Sequence, residues 1–185
     1  MGSRVLMLPD QRAALKQLRD LVQPFVADPL VNEVALKAAG NCPSRDDLCE
    51  LEALFYLVKY GRPDCPGFER GYKYVADPNW ADKFTTPRKI IENLRSGING
   101  GDCDDHAGLL CALGGSIGFT MGLLAYGPPG SEGYSHVLAV AKVPKRLNGP
   151  TQMVALDTTV DHPMGWLPPG IFPEQTANIL IAWLQ

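Results

Sequence analysis

Apolar residues recur along the chain at two different periods, and the change of period divides it. In the first third the spacing is helical. Ala14, Leu15, Leu18, Leu21 and Val22 return every three to four residues between Arg, Lys and Gln. This predicts an amphipathic helix over about 10–26, with its apolar stripe packed on the rest of the domain. A second helix is expected over 29–39, stopping at Gly40. A third opens at Ser44-Arg-Asp-Asp47, a capping-box pattern with Asp in the acidic position, and runs to about Tyr60. Its predicted buried stripe is Leu48, Leu51, Leu54, Phe55 and Val58, and Gly61 ends it. Between 62 and 85, prolines and glycines interleave with aromatics and predict loop, with a short extended piece at 72–75. Thr86-Pro87 supplies a cap and a first-turn proline for a fourth helix, which Gly97 closes.

Residues 103–117 carry Leu109, Leu110, Leu113 and Ile117 at helical spacing, between a good N-cap, Asp102, and a stop, Gly118. The period then falls to two. Strands are predicted near 119–126, over His136-Val-Leu-Ala-Val-Ala-Lys-Val143, and over Gln152-Met-Val-Ala-Leu-Asp157. Residues 142–150 turn between the last two. The glycine- and proline-rich segment 127–133 is a flap over a cleft or a plain hairpin connection. The tail from 161 is proline-rich and ends in an apolar run, 179–184. Helices first and then an antiparallel sheet packed on the helix at 103 make an α+β chain. We expect one domain over 1–185, with a helical part at about 10–60, a core at about 72–160 and the tail at 161–185.

Composition narrows the picture. With 185 residues, 45% of them hydrophobic, the chain can bury a sizeable core. A net charge of −3 gives no support for binding nucleic acid or an anionic membrane surface. No apolar run has membrane-spanning length, and the first residues do not read as a signal peptide. The cytoplasm is therefore the expected location. Five cysteines leave an odd one out. Cys42 and Cys49 flank a helix start and can pair, but in a cytoplasmic chain free thiols are expected. No Cys-x-x-Cys pair suggests zinc.

The candidate chemistry gathers at Cys103. A polar turn, Asn99-Gly-Gly-Asp102, leads into it, and a cysteine in a helix's first turn sits among unpaired N–H groups at the positive end of the dipole. That environment favours a thiolate nucleophile, although lone cysteines are also small core residues. His136 at the start of one strand and Asp157 at the end of the next complete a nucleophile–base–orienter set. His106, one helical turn after Cys103, is a rival base, but more simply it packs beside the site. His162 reads as a loop residue. Asp102, Asp104 and Asp105 oppose a thiolate unless they cap first-turn N–H groups and point away from the sulfur.

The order Gly-Asp-Cys-Asp-Asp-His-Ala, Ser-His-Val, Leu-Asp-Thr-Thr resembles the transglutaminase-like cysteine-enzyme superfamily. Thr86-Pro-Arg-Lys-Ile-Ile-Glu-Asn-Leu-Arg-Ser-Gly97 before it resembles the bacterial transglutaminase-like proteinases. The longer pattern over roughly 28–170 resembles small forms encoded by phages and prophages. It includes Asp28-Pro-Leu-Val, Cys42-Pro-Ser-Arg-Asp-Asp-Leu-Cys49, Tyr74-Val-Ala-Asp-Pro78 and Trp166-Leu-Pro-Pro169.

The resemblance implies a papain-like, transglutaminase-like core with Cys103 as nucleophile, His136 as general base and acid, and Asp157 orienting the imidazole. It implies an oxyanion donor beside the Cys103 N–H, best matched by Tyr74, with Trp80 and Asn99 as rivals and a plain core role for Tyr74 equally open. Some bacterial relatives bind calcium through acids flanking the cysteine, which here are Asp102 and Asp104; no other cofactor is implied. The implied partner is a protein or peptide substrate. Its carboxamide bonds are hydrolysed, or transferred to amines in cross-linking, through a thioester. The alternative is a silent phage-associated binding module with the same fold.

Overall fold

Local sequence chemistry sets where each element begins. The computed structural model describes residues 3–5, 11–76, 83–127, 133–145, 149–171 and 179–185. After β1 (Ser3–Val5), the first helix α1 runs over Gln11–Val22, four residues shorter at its end than expected. Pro24 has no N–H to continue an α-helix, so the chain tightens into a 3-10 turn, Gln23–Ala27. Asp28 then caps α2 (Pro29–Ala39), accepting the N–H groups of Leu30 at 2.8 Å and Val31 at 3.3 Å. The next cap is Asp46, not Ser44. It accepts the Cys49 N–H at 3.0 Å and opens α3 (Asp47–Tyr60). This phase leaves Leu48 52% exposed and turns Leu57 inward beside Leu51, Leu54, Phe55 and Val58, correcting the expected stripe.

The disposition of the first cysteines is also corrected. Cys42 and Cys49 form a disulfide, where free thiols were expected. The turn after α2 folds back, with the Cys42 N–H bonded to Ala39 C=O, and brings its Cα to 5.7 Å from that of Cys49 in the first turn of α3. Cys65 and Cys111 are free and buried, and Cys103 is free and partly exposed.

A short β2 (Lys83–Thr85), which the loop-like composition there hid, pairs antiparallel with β1. α4 spans Pro87–Arg95, with Pro87 in its first turn as expected; Thr86 holds the N-cap place but its side chain makes no capping hydrogen bond. α5 spans Cys103–Ser116, and every residue from Asp105 to Gly114 is buried.

Three strands follow where they were expected: β3 (Thr120–Tyr126), β4 (His136–Val143) and β5 (Gln152–Leu156). The apolar run in the tail adds a fourth, β6 (Ile179–Trp183). The sheet is antiparallel, in the order β5-β4-β3-β6. β6 was legible only as an apolar run, because both its faces are apolar. Leu180 and Ala182 join the main core, while Ile179, Ile181 and Trp183 pack on the other side of the sheet. α5 lies on the inner face, against Met121, Leu123, Ala139 and Ala141, and on its other sides against the helices. Small residues bring helix and sheet close. A Cβ at Gly114 would stand 2.5 Å from the Met121 sulfur. Five helices and a four-stranded antiparallel sheet make the described chain α+β, with the cysteine at the N-terminus of the most enclosed helix.

Candidate active site

Asp102 is where the site's local structure starts. Its extended backbone stops the preceding turn, and its carboxylate accepts the Asp105 N–H at 3.4 Å, so Cys103 becomes the first residue of α5. The first N–H groups of a helix have no intrahelical partner, and Cys103, partly exposed, stands at that end of α5. The turn ahead is held from two sides. Asn99 accepts the Lys73 N–H and donates to Gly71 C=O, both at 2.8 Å. Gly101 forms a bridge with Tyr74, through its own N–H to Lys73 C=O and the Val75 N–H to its own C=O.

The register of β3 against β4 puts His136 opposite Tyr126, whose ring meets the imidazole edge-on at a centroid distance of 5.3 Å. β5 pairs Leu156 with Ala139, so Asp157 leaves the sheet at the end where His136 enters it. His136 Nε2 donates to Asp157 Oδ2 at 2.7 Å. Cys103 lies on the same cavity wall as His136, close enough to help raise its pKa. The three residues named from sequence therefore converge.

Their environment explains their ionisation. Burial pushes the His136 pKa down, but hydrogen bonds to Asp157 and Cys103, with the charges of both, outweigh it and raise the value to about 9. Burial pushes the Asp157 carboxyl up. The bond from His136, the imidazolium charge and two bonds from Thr159 reverse that and hold it below the usual carboxylate value. Those two bonds run to Oδ1, from the Thr159 N–H at 3.0 Å and its hydroxyl at 2.6 Å. Thr159 was legible only as a neighbour in the Asp-Thr-Thr run.

His106 does not serve Cys103. It is buried, stacks on the Tyr72 ring at 4.5 Å and hydrogen-bonds Thr158 Oγ1 through Nδ1 at 2.8 Å. Burial lowers its pKa to about 4, so the ring is neutral. It thereby ties the cysteine helix to the segment that carries Asp157. His162 lies in the loop after β5 and stacks on Trp166 at 3.7 Å. Tyr74 is 52% exposed, with its ring tilted against His106 at 6.4 Å, and it does not line the cavity beside Cys103. The Asn99 amide is spent on the turn, and Trp80 lies outside the described residues. So does most of the 127–133 loop.

Oxygens of Asp102, Asp104 and Asp105 lie within 4.8 Å of one another, donors of the kind a hard cation takes. Two of the three carboxylates have structural work. Asp102 caps α5, and Asp105 accepts the Thr85 N–H at 2.6 Å and faces the Tyr72 hydroxyl at 3.5 Å. Asp104 keeps one buried oxygen without a hydrogen bond. Burial, a hydrogen bond with Asp102 and the neighbouring negative charges drive its pKa far above the usual carboxylate range, so it holds a proton. One uncommitted carboxyl does not fit the six to eight oxygens that calcium requires.

A cavity of about 320 Å³ opens beside Cys103 and His136. Asp102, Asp104, Tyr134, Ser135 and Val137 line it on one side, and Gln11, Ala14, Leu15 and Leu18 of α1 form the other wall. Nothing in the sequence assigned α1 to the site. The stripe of leucines reads as core, and Leu15 and Leu18 are indeed buried. Compared with known proteins, the chain matches no family model, no curated protein and no solved structure.

Proposed function

We propose that the chain is a thiol enzyme that cleaves carboxamide bonds in a protein or peptide through a thioester. The observation that carries this reading is an imidazole bonded to Asp157 at 2.7 Å and set beside Cys103 on the wall of one cavity large enough for a side chain. The Cys103 sulfur attacks the carbonyl carbon, and the C–N bond breaks as His136 passes its proton to the leaving nitrogen. His136 then takes a proton from water, whose oxygen attacks the thioester, and the thiol leaves restored. Asp157 keeps its negative charge and holds the ring in place. The Cys103 N–H is the natural first oxyanion donor, and Tyr74 is kept as a second only if the substrate draws it inward.

Hydrolysis is favoured over transfer to an amine because the cavity is open to water. A papain-like, transglutaminase-like core and a phage or prophage source go with the sequence resemblance. A silent binding module is disfavoured, since binding alone has no use for three convergent reactive groups. Calcium at Asp102 and Asp104 is not given a part in the reaction. Among the described residues no helix is long and apolar enough to cross a membrane. The Cys42–Cys49 disulfide weighs against a cytoplasmic location, because cytosolic reductants keep such pairs open.

Alkylation by iodoacetamide at about pH 6, where an ordinary thiol is almost unreactive, tests the nucleophile. Cys103 should react at least about tenfold faster than buried Cys65 and Cys111 denatured in urea, and His136→Ala should remove most of that advantage. A native Cys103 no faster than those two urea-exposed thiols rules the enzyme reading out.

A further inference from the structure

The wall that α1 contributes to the cavity carries a carboxamide of its own. Gln11 Oε1 accepts the Tyr134 N–H at 2.8 Å, and Gln11 Nε2 donates to the Tyr134 C=O at 3.3 Å. A Cβ at Gly133 would stand 3.0 Å from Gln11 Nε2, so the side chain lies directly against the backbone there. A primary carboxamide offers one acceptor and a donor, the same pair a peptide unit offers. Both of its bonds go to one residue, as they do between paired residues of antiparallel strands.

The sheet explains why Tyr134 has this pair to offer. The neighbouring Ser135 N–H is bonded inward to Tyr126 C=O on β3. Successive residues of an extended chain point their polar groups to opposite sides, so those of Tyr134 point away from β3. On that side β5 gives no cover, since its last paired residue, Leu156, sits opposite Ala139. Among the described residues this leaves Gln11 as the hydrogen-bonding partner of Tyr134 on that side, two residues before His136 and on the cavity wall.

We propose that the N–H and C=O of Tyr134 are a recognition point for the main chain of an extended peptide substrate, and that Gln11 occupies it in the resting protein. The substrate class rests on the thiol-enzyme reading above; the occupation by Gln11 does not. Entry requires release of only the first turn of α1. Leu15, Leu18 and Val22 are buried and hold the remainder, whereas Gln11 is exposed and its two bonds are in contact with water. Helix ends fray at little cost, and solvent-exposed hydrogen bonds contribute little, so a peptide can displace the occupant.

The test compares two reagents on Cys103 in the native chain and in Gln11→Ala. Iodoacetamide is too small to need the Tyr134 main chain. Acetyl-triglycine chloromethyl ketone has a peptide main chain and no side chains, so it reads main-chain recognition alone. Gln11→Ala should raise the rate with the triglycine reagent roughly tenfold and leave the iodoacetamide rate within about twofold. Amide exchange at Tyr134 should quicken in Gln11→Ala and slow again once the triglycine group is attached, with α5 and β4 unchanged. Equal changes with both reagents would mean a general loosening and overturn the proposal. So would a quickened Tyr134 amide without any gain for the peptide reagent. The ratio of the two rates cancels the intrinsic reactivity of the sulfur, so a sluggish Cys103 defeats the enzyme reading and leaves this comparison intact.

Discussion

His136 and Asp157 share a 2.7 Å hydrogen bond that shifts both titrations in the direction of the charged pair. The histidine's folded pKa, about 9, lies above its ordinary 6.5, so its contribution to stability is complete below 6.5 and disappears as pH rises through 9. The difference corresponds to roughly 3 kcal/mol. Asp157 is shifted downward, so its contribution is present above 3.8 and is lost as acid titrates its lowered folded value. Urea unfolding across this range should find His136→Ala less stable than the native chain at neutral pH, with the gap closing above about pH 9. A gap of constant size would mean the pair is not ionised. Asp157→Asn should lower turnover by about a hundredfold or more while leaving peptide binding within a few fold.

Gly101 faces the tightest steric limit near the site. A Cβ there would stand 2.0 Å from the Tyr72 hydroxyl oxygen and 2.6 Å from an Asp105 carboxylate oxygen. Tyr72 cannot retreat easily, being buried and stacked on His106. Gly101→Ala should therefore cost about 3 kcal/mol, read from the urea midpoint, and slow Cys103 alkylation by displacing the turn that positions it. Gly97→Ala is the control on space: nothing lies within 4 Å of a Cβ there, so only its left-handed backbone resists the change, at about 1 kcal/mol.

Reduction should act on α3 and spare the site. The Cys42–Cys49 bond closes a loop with a sequence separation of seven, which in the chain-entropy account contributes about 2 kcal/mol. Reductant, or Cys42→Ser with Cys49→Ser, should lower the free energy of unfolding in urea by about 2 kcal/mol and leave Cys103 alkylation unchanged. A chain that proves fully reduced as isolated from the cytosol, yet equally stable, contradicts this.

Calcium should have little effect. Asp102 and Asp105 already accept backbone N–H groups, and Asp104 holds a proton. Chelator and millimolar-range calcium should each leave Cys103 alkylation and the melting temperature where they are. A melting temperature that rises with calcium, and stops rising in Asp104→Asn, would show that an ion can displace that proton.

Much of this architecture was legible from spacing, because spacing is what the core imposes. Helices α4 and α5 and strands β3, β4 and β5 stand where period and caps put them. Cys103, His136 and Asp157 were legible as positions, since they lie at the ends of α5, β4 and β5. What was hidden depends on contacts between distant segments. The Cys42–Cys49 bond follows from how the turn after α2 folds back. β6 needed β3 as its partner before an apolar run became a strand. Gln11 and Tyr134, 123 residues apart, are joined by side chain to backbone, and no local pattern encodes that. The roles of His106 and Thr158 stayed hidden for the same reason.

The close fit of Gly114 against Met121 has a consequence for the proposed nucleophile. Cys103 is carried by α5 and His136 by the sheet, so their alignment is a property of the interface between the layers. Gly114 lies eleven residues beyond Cys103, about 16 Å along the helix. A side chain there must push the buried Met121 thioether aside, so it bears on the spacing between the helix that carries Cys103 and the sheet that carries His136.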